Sequence, residues 1–478
     1  MSLVVFNTLS KQKEKFEPQA AGKVKMYVCG VTPYDYCHMG HGRCYTAFDV
    51  VRRYLKYSGY DVKYVQNFTD IDDKIIKRAK EAKQDPLVLS KKFSDEYFVD
   101  MDKLGIKRAD AYPYVTQTIP DIIKFVQRLI TNGYAYVVEG QNGAGKDVYY
   151  EVSRFVSYGK LSGQPLDKLR AGARIDVDER KKNPEDFALW KSAKPEEPSW
   201  DSPWGKGRPG WHIECSVMST KHLGDTLDIH GGGQDLIFPH HEDEIAQSEA
   251  ATGKPFSKYW LHNGFVVVGK EKMAKSLGNF ITLRQALDKY GPRMMRLFYV
   301  YTHYRAPIDS HPTRIEELRP TLQKLLDTRA MLAAESKNKA RPEKSDLDAK
   351  AKAEAFAIVR KFEDAMDDDF NTPLAIAALF ELKDFAHQLS QDNKASKTAF
   401  ALLHQTYEKL ANGVLGLFDA EETKAGLSDA EISKLVAERE DAKKERDFAK
   451  ADTIRAQLKE RGIILEDSPK GAAWKKTA

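Results

Sequence analysis

Cysteine is scarce in this chain, and long apolar stretches are missing. Only four of the 478 residues are cysteine, which is too few for a disulfide framework in a chain of this length. The longest apolar runs, such as Phe265–Val268, fall far short of the roughly 18 residues that a membrane span needs. The N-terminal apolar stretch is too short and too soon interrupted for a secretory signal. We therefore expect a cytoplasmic protein without membrane contact, whose important cysteines are metal ligands or nucleophiles.

Two common enzyme signatures are also absent. No Gly-rich loop ends in Gly-Lys-Ser or Gly-Lys-Thr, which excludes a P-loop enzyme, and no His-Glu-x-x-His occurs, which disfavours a zinc protease. The net charge of +5 gives no strong sign of nucleic-acid binding, although a local basic face is enough to meet phosphates. With 42% hydrophobic and 30% charged residues the chain can bury substantial cores. Its length suggests about three domains.

The first part of the chain alternates strand and helix patterns. Alternate residues of Lys23–Cys29 are apolar, as in a strand, and Gly42–Tyr57 carries apolar residues at helical spacing. Asp61–Val65 again has the pattern of a strand. A strand, a crossover helix and a second strand form a βαβ unit, which implies a parallel sheet. We therefore predict the α/β class, with a Rossmann-like parallel-sheet domain.

Changes of pattern further along divide the chain. A helix at 120–131, a hairpin signal around Gly140–Gly145 and a loop rich in Pro and Trp indicate an insertion. Later residues recur at helical spacing, as in a helix bundle, and the chain ends in two charged helices and a short strand, Ile463–Leu465. We predict a Rossmann-like catalytic domain of residues 1–118 and 208–311, an inserted domain of 119–207, a helix bundle of 312–420 and a small mixed C-terminal domain of 421–478.

The turn that joins the first strand to the first helix has the features of a phosphate site. Such a turn presents backbone N–H groups and the positive end of a helix. Gly40 allows a ligand close to the backbone, and His38 and His41 can donate hydrogen bonds to a phosphate that gains charge. A pair of histidines near a helix start can equally be capping or surface residues.

A second candidate segment is the lysine loop Glu271–Asn279, which follows the apolar run Phe265–Val268. Lys272 and Lys275, on a loop with small residues, can reach a triphosphate and offset the charge of leaving pyrophosphate. A solvated surface loop is the alternative.

Sulfur, imidazole and carboxylate groups suggest a metal site. Cys29 ends the first strand, at the edge where a parallel sheet forms its crevice. His240 and Glu244 are four residues apart, so they share one side of a helix. With Cys215 they make a tetrahedral zinc set. A buried strand cysteine and a helix N-terminus with acidic residues are the alternatives, because the chain has no Cys-x-x-Cys pair.

Together these motifs resemble the class I aminoacyl-tRNA synthetases, and within that class the cysteinyl-tRNA synthetases over nearly the whole chain. His38–His41 resembles the His-Ile-Gly-His signature, and Lys272–Ser276 the Lys-Met-Ser-Lys-Ser loop. Met39 and Ala274 depart from these signatures but leave the histidines and lysines in place. The resemblance also rests on Tyr27–Gly30, Asn67–Ile75, Arg208–Ser216, Gly231–Glu249, Asp368–Pro373 and Glu445–Trp474.

The resemblance implies that L-cysteine and ATP, with magnesium, form cysteinyl-adenylate and pyrophosphate, and that the cysteine then passes to the 3′ end of tRNA(Cys). His38, Gly40 and His41 are expected to bind ATP at its α-phosphate. Lys272 and Lys275 are expected at the leaving pyrophosphate, with Lys275 first. Positioning and charge stabilisation do this work, because neither step needs a protein nucleophile.

The resemblance also implies one zinc per chain, held by Cys29, Cys215, His240 and Glu244, of which Glu244 is expected to be held most weakly. Serine differs from cysteine only in O for S, and a shape-based pocket discriminates such small changes by only about 1–3 kcal/mol. A thiolate bound to zinc discriminates better, so no editing domain is expected. Candidates for the cysteine pocket are Gly30, Thr69, Trp211 and His230.

The resemblance assigns the tRNA to the later domains and the insertion. It implies a stem-contact region in the catalytic domain, an acceptor-end role for 119–207, tRNA binding by 312–420 and anticodon binding by 421–478. Trp474, in a basic setting, is a candidate platform on which a base could stack. A packing residue that closes the small domain is the alternative. We expect a monomer.

Two other functions fit parts of the pattern. One is a ligase that activates cysteine in the same way but joins it to an amino sugar, as in mycothiol synthesis. That ligase is expected to lack the C-terminal region 427–478. The other is a catalytically silent tRNA- or zinc-binding protein, against which the intact histidines, lysines and candidate ligands argue.

Overall fold

The computed structural model describes residues 2–140, 145–164, 179–269, 271–272, 281–419, 429–444, 447–460, 463–468 and 471–476. The strands are β1 Val4–Asn7, β2 Gln12–Lys15, β3 Lys23–Val31, β4 Asp61–Phe68, β5 Ala135–Glu139, β6 Lys146–Tyr150, β7 Phe187–Ser192, β8 Gly207–Pro209, β9 Leu227–Gly233, β10 Ser257–Asn263, β11 Val266–Val268, β12 Glu271–Lys272, β13 Ile308–Asp309, β14 Ile463–Ser468 and β15 Gly471–Lys476. The α-helices are α1 Met39–Tyr57, α2 Asp73–Ala82, α3 Pro86–Lys103, α4 Ile119–Thr131, α5 Trp211–Leu223, α6 Glu242–Thr252, α7 Leu283–Tyr290, α8 Pro292–Val300, α9 Pro312–Glu316, α10 Arg319–Glu335, α11 Leu347–Asp367, α12 Thr372–Ser390, α13 Lys397–Tyr407, α14 Asp429–Lys444 and α15 Phe448–Glu460.

A four-stranded parallel sheet forms the centre of the catalytic part, with the strand order β10-β9-β3-β4. From β3 the chain passes through α1 to β4 on one side, and from β9 it passes through α6 to β10 on the other side. The order therefore reverses between β3 and β9, where such sheets open a crevice at the carboxyl ends of their strands. The predicted α/β class and Rossmann-like sheet are confirmed.

The predicted insertion contains an antiparallel sheet of the order β5-β6-β7-β8. Its first hairpin pairs Tyr136 with Tyr149, so the predicted hairpin is present, although its tip at 141–144 lies outside the described residues. Strand β8 crosses the predicted boundary between residues 207 and 208. Helix α4 packs Val126 and Leu129 into one apolar cluster with Met218 of α5. The insertion therefore shares a core with the catalytic helices, and the exact domain limits stay a prediction.

Helices α10–α13 form the predicted bundle, which joins the core of the parallel sheet without a break. The C-terminal part has the two expected helices and the expected strand, here β14, which pairs with a strand that the sequence did not predict, β15. The cluster of Ile432, Ile454, Leu458 and Ile463 is its core. Within the described ranges, no helix combines the length and the apolar character required to cross a membrane.

A buried group of charges holds α1 against the end of the bundle. The Asp49 carboxylate accepts hydrogen bonds from Arg53 Nε at 2.7 Å and from Arg296 Nη2 at 2.5 Å. Arg296 also donates to the carbonyl of Leu415 at 2.9 Å, and Arg53 donates to Asp419 at 2.9 Å. Although burial raises the pKa of Asp49, Arg296 and Arg53 lower it below its ordinary value. The helix that begins at the histidine turn is thus fixed at its middle.

Replacement of Asp49 by alanine would leave the guanidinium group of Arg296 buried without a hydrogen-bonded carboxylate, while Arg53 would keep only Asp419. Loss of one partner from a buried ion pair costs roughly 3–5 kcal/mol. We expect Asp49→Ala to lower the thermal unfolding midpoint strongly and Asp61→Ala, at an exposed position on β4, to leave it nearly unchanged. Equal midpoints for the two variants would contradict the role given to this carboxylate.

Candidate active site and metal centre

A cleft of about 370 Å³ lies at the carboxyl ends of β3 and β9. Both histidines of the predicted phosphate turn line it, together with Gly40 of the same turn. Residues of the other sequence motifs also line it, namely Cys29, Gly30, Lys74, Trp211 and Gly233, as does Asn263, which lies outside those motifs. The structure therefore brings the candidate phosphate turn, one candidate metal ligand and two candidate pocket residues to one place.

The histidine turn caps α1 with one nitrogen of each ring. His38 Nδ1 accepts a hydrogen bond from the Gly40 N–H at 3.0 Å, and His41 Nδ1 accepts one from the His38 N–H at 3.2 Å. The rings stack with their centroids 3.8 Å apart. Because Nδ1 is the acceptor, the proton of a neutral ring lies on Nε2, which is then a donor. Burial lowers the pKa of His41, which keeps this ring neutral. Capping and phosphate binding are therefore compatible.

Gly40 has a specific reason to be glycine. A β-carbon there would lie 2.8 Å from Cε1 of His38. A side chain would therefore push the capping ring of His38 out of place.

The lysine loop lies mostly outside the described residues. The backbone of Lys272 is in β12, which pairs with β11, and Lys275 falls in 273–280, of which nothing is described. The chain beyond this segment is anchored at the histidine turn, where Thr282 bridges to His38 and the Leu283 N–H donates to the Cys37 carbonyl at 2.7 Å. The role of the two lysines stays a prediction.

The four candidate metal ligands meet in the interior. The donor atoms of Cys29, Cys215, His240 and Glu244 all lie within 4.8 Å of one another, and all four residues are buried. Cys29 Sγ is 3.7 Å from Cys215 Sγ and 3.3 Å from Glu244 Oε1, and His240 Nε2 is 2.9 Å from the same oxygen. His240 lies in the short π-helical segment Ile237–His241, which leads directly into α6, and it faces Glu244.

These residues fit a tetrahedral metal ion. Two sulfurs bound to one zinc at 2.3 Å and tetrahedral angles would be about 3.8 Å apart, close to the 3.7 Å between Cys29 and Cys215. Thiolate, imidazole and carboxylate are the donors that zinc uses in proteins. The buried group can therefore bind a metal ion.

The ionisable groups of this site shift one another's pKa values. Although burial raises the pKa of Glu244, His230 and His240 hold it well below its ordinary value. Although burial lowers the pKa of His240, Glu244 and Cys215 raise it to about 10. The hydrogen bond from Cys29 lowers the pKa of Cys215 to about 6, although burial opposes this. The site thus favours anionic Cys215 and Glu244 beside a cationic His240, whereas burial raises the pKa of Cys29 well above its ordinary value.

A second set of donors overlaps the first. Cys29, His230, His241 and Glu244 also lie within 4.8 Å of one another. His241 Nε2 is 3.3 Å from Cys29 Sγ, and its Nδ1 is 2.8 Å from Nε2 of His262. Sequence reasoning did not single out His241 or His262. The pair of adjacent histidines at 240–241 was the available signal for His241, whereas His262 gave none.

The four candidate pocket residues differ in exposure. Gly30 and Trp211 line the cleft, and the Trp211 ring stacks on His240 at 4.3 Å. Thr69 is buried and donates to Glu214 at 2.7 Å, next to Cys215 in the chain. His230 is fully buried, and its Nε2 is 2.7 Å from Glu244. Thr69 and His230 therefore lie behind the cleft surface, beside the metal-binding group.

Trp474 lies in β15, in the hairpin with β14, and is not among the residues that line the cleft. Its side chain is half-buried and packs against the apolar cluster of the C-terminal part. A packing role is therefore supported, and base stacking by its remaining surface stays a prediction.

At Gly30, strand β3 lies against the backbone of Asn67 in β4 with no room for a side chain. A β-carbon there would lie 1.6 Å from the Asn67 carbonyl oxygen, which forces β3 and β4 apart. We expect Gly30→Ala to lower the thermal unfolding midpoint and the metal content of the purified protein together. Gly413→Ala is the matched control, because a β-carbon there would make only an ordinary contact of 3.8 Å with the Glu408 carbonyl oxygen. Unchanged metal content in Gly30→Ala would show that the strand position does not matter to the site.

Solved structures of two tRNA synthetases share this fold. The methionyl-tRNA synthetase of Mycobacterium tuberculosis in complex with methionyl-adenylate aligns with a TM-score of 0.64 and 15% identity over 85% of this chain and 94% of that chain. A LeuRS–tRNA–LeuAMS ternary complex from Agrobacterium radiobacter K84 aligns with a TM-score of 0.61 and 11% identity over 84% and 85% of the two chains. At these identities the likeness shows the fold alone.

Family models cover most of the chain. Residues 15–319 match the class I (C) catalytic domain of tRNA synthetases, 361–419 a DALR domain and 426–474 the cysteinyl-tRNA ligase anticodon-binding domain. The cysteine–tRNA ligase of Thermococcus onnurineus is 51% identical, over 100% of this chain and 99% of its own. That of Heliobacterium modesticaldum is 50% identical over 100% of both chains. The chain therefore belongs to the cysteine–tRNA ligase family of class I aminoacyl-tRNA synthetases.

Proposed function

We propose that the enzyme activates L-cysteine with ATP, releases pyrophosphate and transfers the cysteine from the adenylate to the 3′ end of tRNA(Cys). One observation carries this proposal: the histidine turn and the buried sulfur-rich group open onto the same cleft. Phosphate and thiol chemistry are therefore available within one site. Two family-model matches, to the catalytic domain and to the anticodon-binding domain, support the proposal.

The α-phosphate of ATP is assigned to the N-terminus of α1. There the helix dipole and the Nε2–H groups of His38 and His41 favour negative charge. Hydrogen-bond donors already in place at developing charge lower the barrier without reorganisation. Cysteine's own carboxylate is the nucleophile, so the protein positions the reactants. Lys272 and Lys275 are assigned to the pyrophosphate of magnesium-bound ATP, in line with the anchoring of the chain beyond their loop at the histidine turn.

Cys29, Cys215, His240 and Glu244 would hold one zinc ion. When bound, the zinc supplies a Lewis acid that takes a thiolate in preference to a hydroxyl. Glu244 is assigned as the ligand that loosens most readily, because His230 already competes for its carboxylate at 2.7 Å. Gly30, Thr69, Trp211 and His230 are assigned to the surroundings of the bound cysteine.

The tRNA would extend from the cleft towards the C-terminal part. We assign its acceptor end to 119–207, its stem to the catalytic domain and residues 312–420, and its anticodon to 421–478. We further assign the enzyme to the cytoplasm as a monomer. An amino-sugar ligase is disfavoured because the anticodon-binding family model matches residues 426–474.

The central experiment is cysteine-dependent ATP–pyrophosphate exchange followed by charging of tRNA(Cys). His41→Asn keeps an acceptor for the His38 N–H but removes the Nε2 donor. We expect the exchange rate to fall by roughly 10²–10³-fold, the usual effect of losing one such donor, with the unfolding midpoint retained. His222→Asn on α5, outside the cleft, is the control.

Three outcomes would overturn parts of this proposal. No cysteine-dependent exchange by the unaltered enzyme would favour a silent binding protein. Exchange without charging would favour an amino-sugar acceptor. Normal exchange by His41→Asn would remove the phosphate role of this ring.

Trp474→Ala tests the stacking role in the C-terminal part. Loss of one stacked base costs roughly 1–3 kcal/mol, so we expect charging of tRNA(Cys) to show a KM for tRNA raised roughly 5–150-fold. Cysteine-dependent exchange, which needs no tRNA, serves as the internal control. An unchanged KM for tRNA would leave Trp474 as a packing residue only.

A further inference from the structure

Another histidine, His212, contacts the candidate ligand His240 on the side of its ring that faces away from Glu244. His212 Nδ1 is 3.0 Å from His240 Nδ1, on the side of the ring opposite the nitrogen that faces Glu244. His212 is on the first turn of α5, the helix that also carries Cys215. Nothing in the proposed chemistry so far uses this contact.

The ring of His212 is itself held in place. Its Nε2 is 3.4 Å from the Asp243 carboxylate, and the Tyr158 hydroxyl donates to the same carboxylate. Phe187 packs edge-on against the ring with centroids 5.6 Å apart. Both Asp243 and Tyr158 lie outside the two donor sets.

The Nδ1 atoms of His212 and His240 lie at hydrogen-bond distance from each other, and only one direction of this bond leaves Nε2 of His240 available to a metal ion. Asp243 Oδ2 lies 3.4 Å from Nε2 of His212 and favours the proton on that nitrogen, which makes Nδ1 of His212 the acceptor. Nδ1 of His240 then donates to it, which leaves the lone pair of His240 on Nε2, facing Glu244 and Cys215. Metal-binding histidines usually donate their second N–H to a partner in this way, and that partner fixes the tautomer and the ring orientation.

We infer that His212, oriented by Asp243, is a positioning residue of the metal site that selects His240 as the imidazole ligand. The inference rests on the proposed zinc site. His241, the imidazole of the overlapping donor set, is backed instead by His262 and then by the Thr8 hydroxyl at 2.8 Å. Behind His240 the contacts lead through His212 to the carboxyl group of Asp243, whereas behind His241 they lead through His262 to a hydroxyl, which favours His240 as the zinc ligand.

The test measures zinc affinity of the full-length holoenzyme by competition with a chromogenic chelator. His212→Phe keeps the ring against Phe187 but removes the acceptor for His240, and zinc binding should weaken roughly 10–100-fold. His212→Asn places an oxygen near the former Nδ1 and should restore most of the affinity. His222→Phe, at the other end of the same helix, should bind zinc like the unaltered protein.

Cobalt in place of zinc gives a second readout. The visible bands of the cobalt protein should change in His212→Phe and return in His212→Asn, because they report the geometry around the ion.

Each outcome decides a separate point. Unaltered zinc affinity and cobalt bands in His212→Phe would overturn the inference while the zinc site itself stands. Asparagine as weak as phenylalanine would reduce His212 to a packing residue. A wild-type protein that takes up no zinc would overturn the zinc site and the inference together.

Discussion

The candidate site depends on the point where β3 and β9 run side by side in the parallel sheet and the strand order reverses. Right-handed crossovers that proceed in opposite directions place their helices on opposite faces of the sheet. The carboxyl ends of the two strands are therefore left uncovered, and a cleft forms there. Cys29 and Gly30 lie near the end of one strand and Gly233 ends the other, so sulfur, glycine backbone and the N-terminus of α1 meet at one edge.

Two buried carboxylates then hold this edge in shape. Glu244 lies between His230 and His240 at 2.7 and 2.9 Å, and Asp49 lies between two arginines. An unpaired charge in such surroundings would cost several kcal/mol. Each carboxylate therefore holds its partner side chains in position, and they hold the carboxylate in position. Glu244 organises the metal-binding group, and Asp49 ties the helix of the histidine turn to the bundle.

Local patterns were sufficient for much of the fold. The predicted strand Lys23–Cys29 and helix Gly42–Tyr57 correspond to β3 and α1, because alternation and helical spacing are properties of neighbouring residues. The helix begins earlier than predicted, at Met39, because the two histidines cap it. The spacing of His240 and Glu244 also predicted that they face each other, and the short π-helical segment before α6 provides this geometry.

Contacts between distant residues were beyond such patterns. Cys29 and Cys215 are separated by 186 positions, and no local rule joins them; the resemblance to a family did so in advance. Only the folded structure indicates roles for His212, His241 and His262, because the sequence around a histidine does not show which groups its ring nitrogens contact.

The sequence by itself determined the class of the fold, the order of its parts and the family, because motif order and hydrophobic period are written along the chain. The tertiary structure decided which nitrogen of each histidine faces the cleft and which imidazole lies opposite Glu244. Those choices depend on hydrogen bonds between elements far apart in the chain, and only the folded arrangement brings their donors and acceptors together.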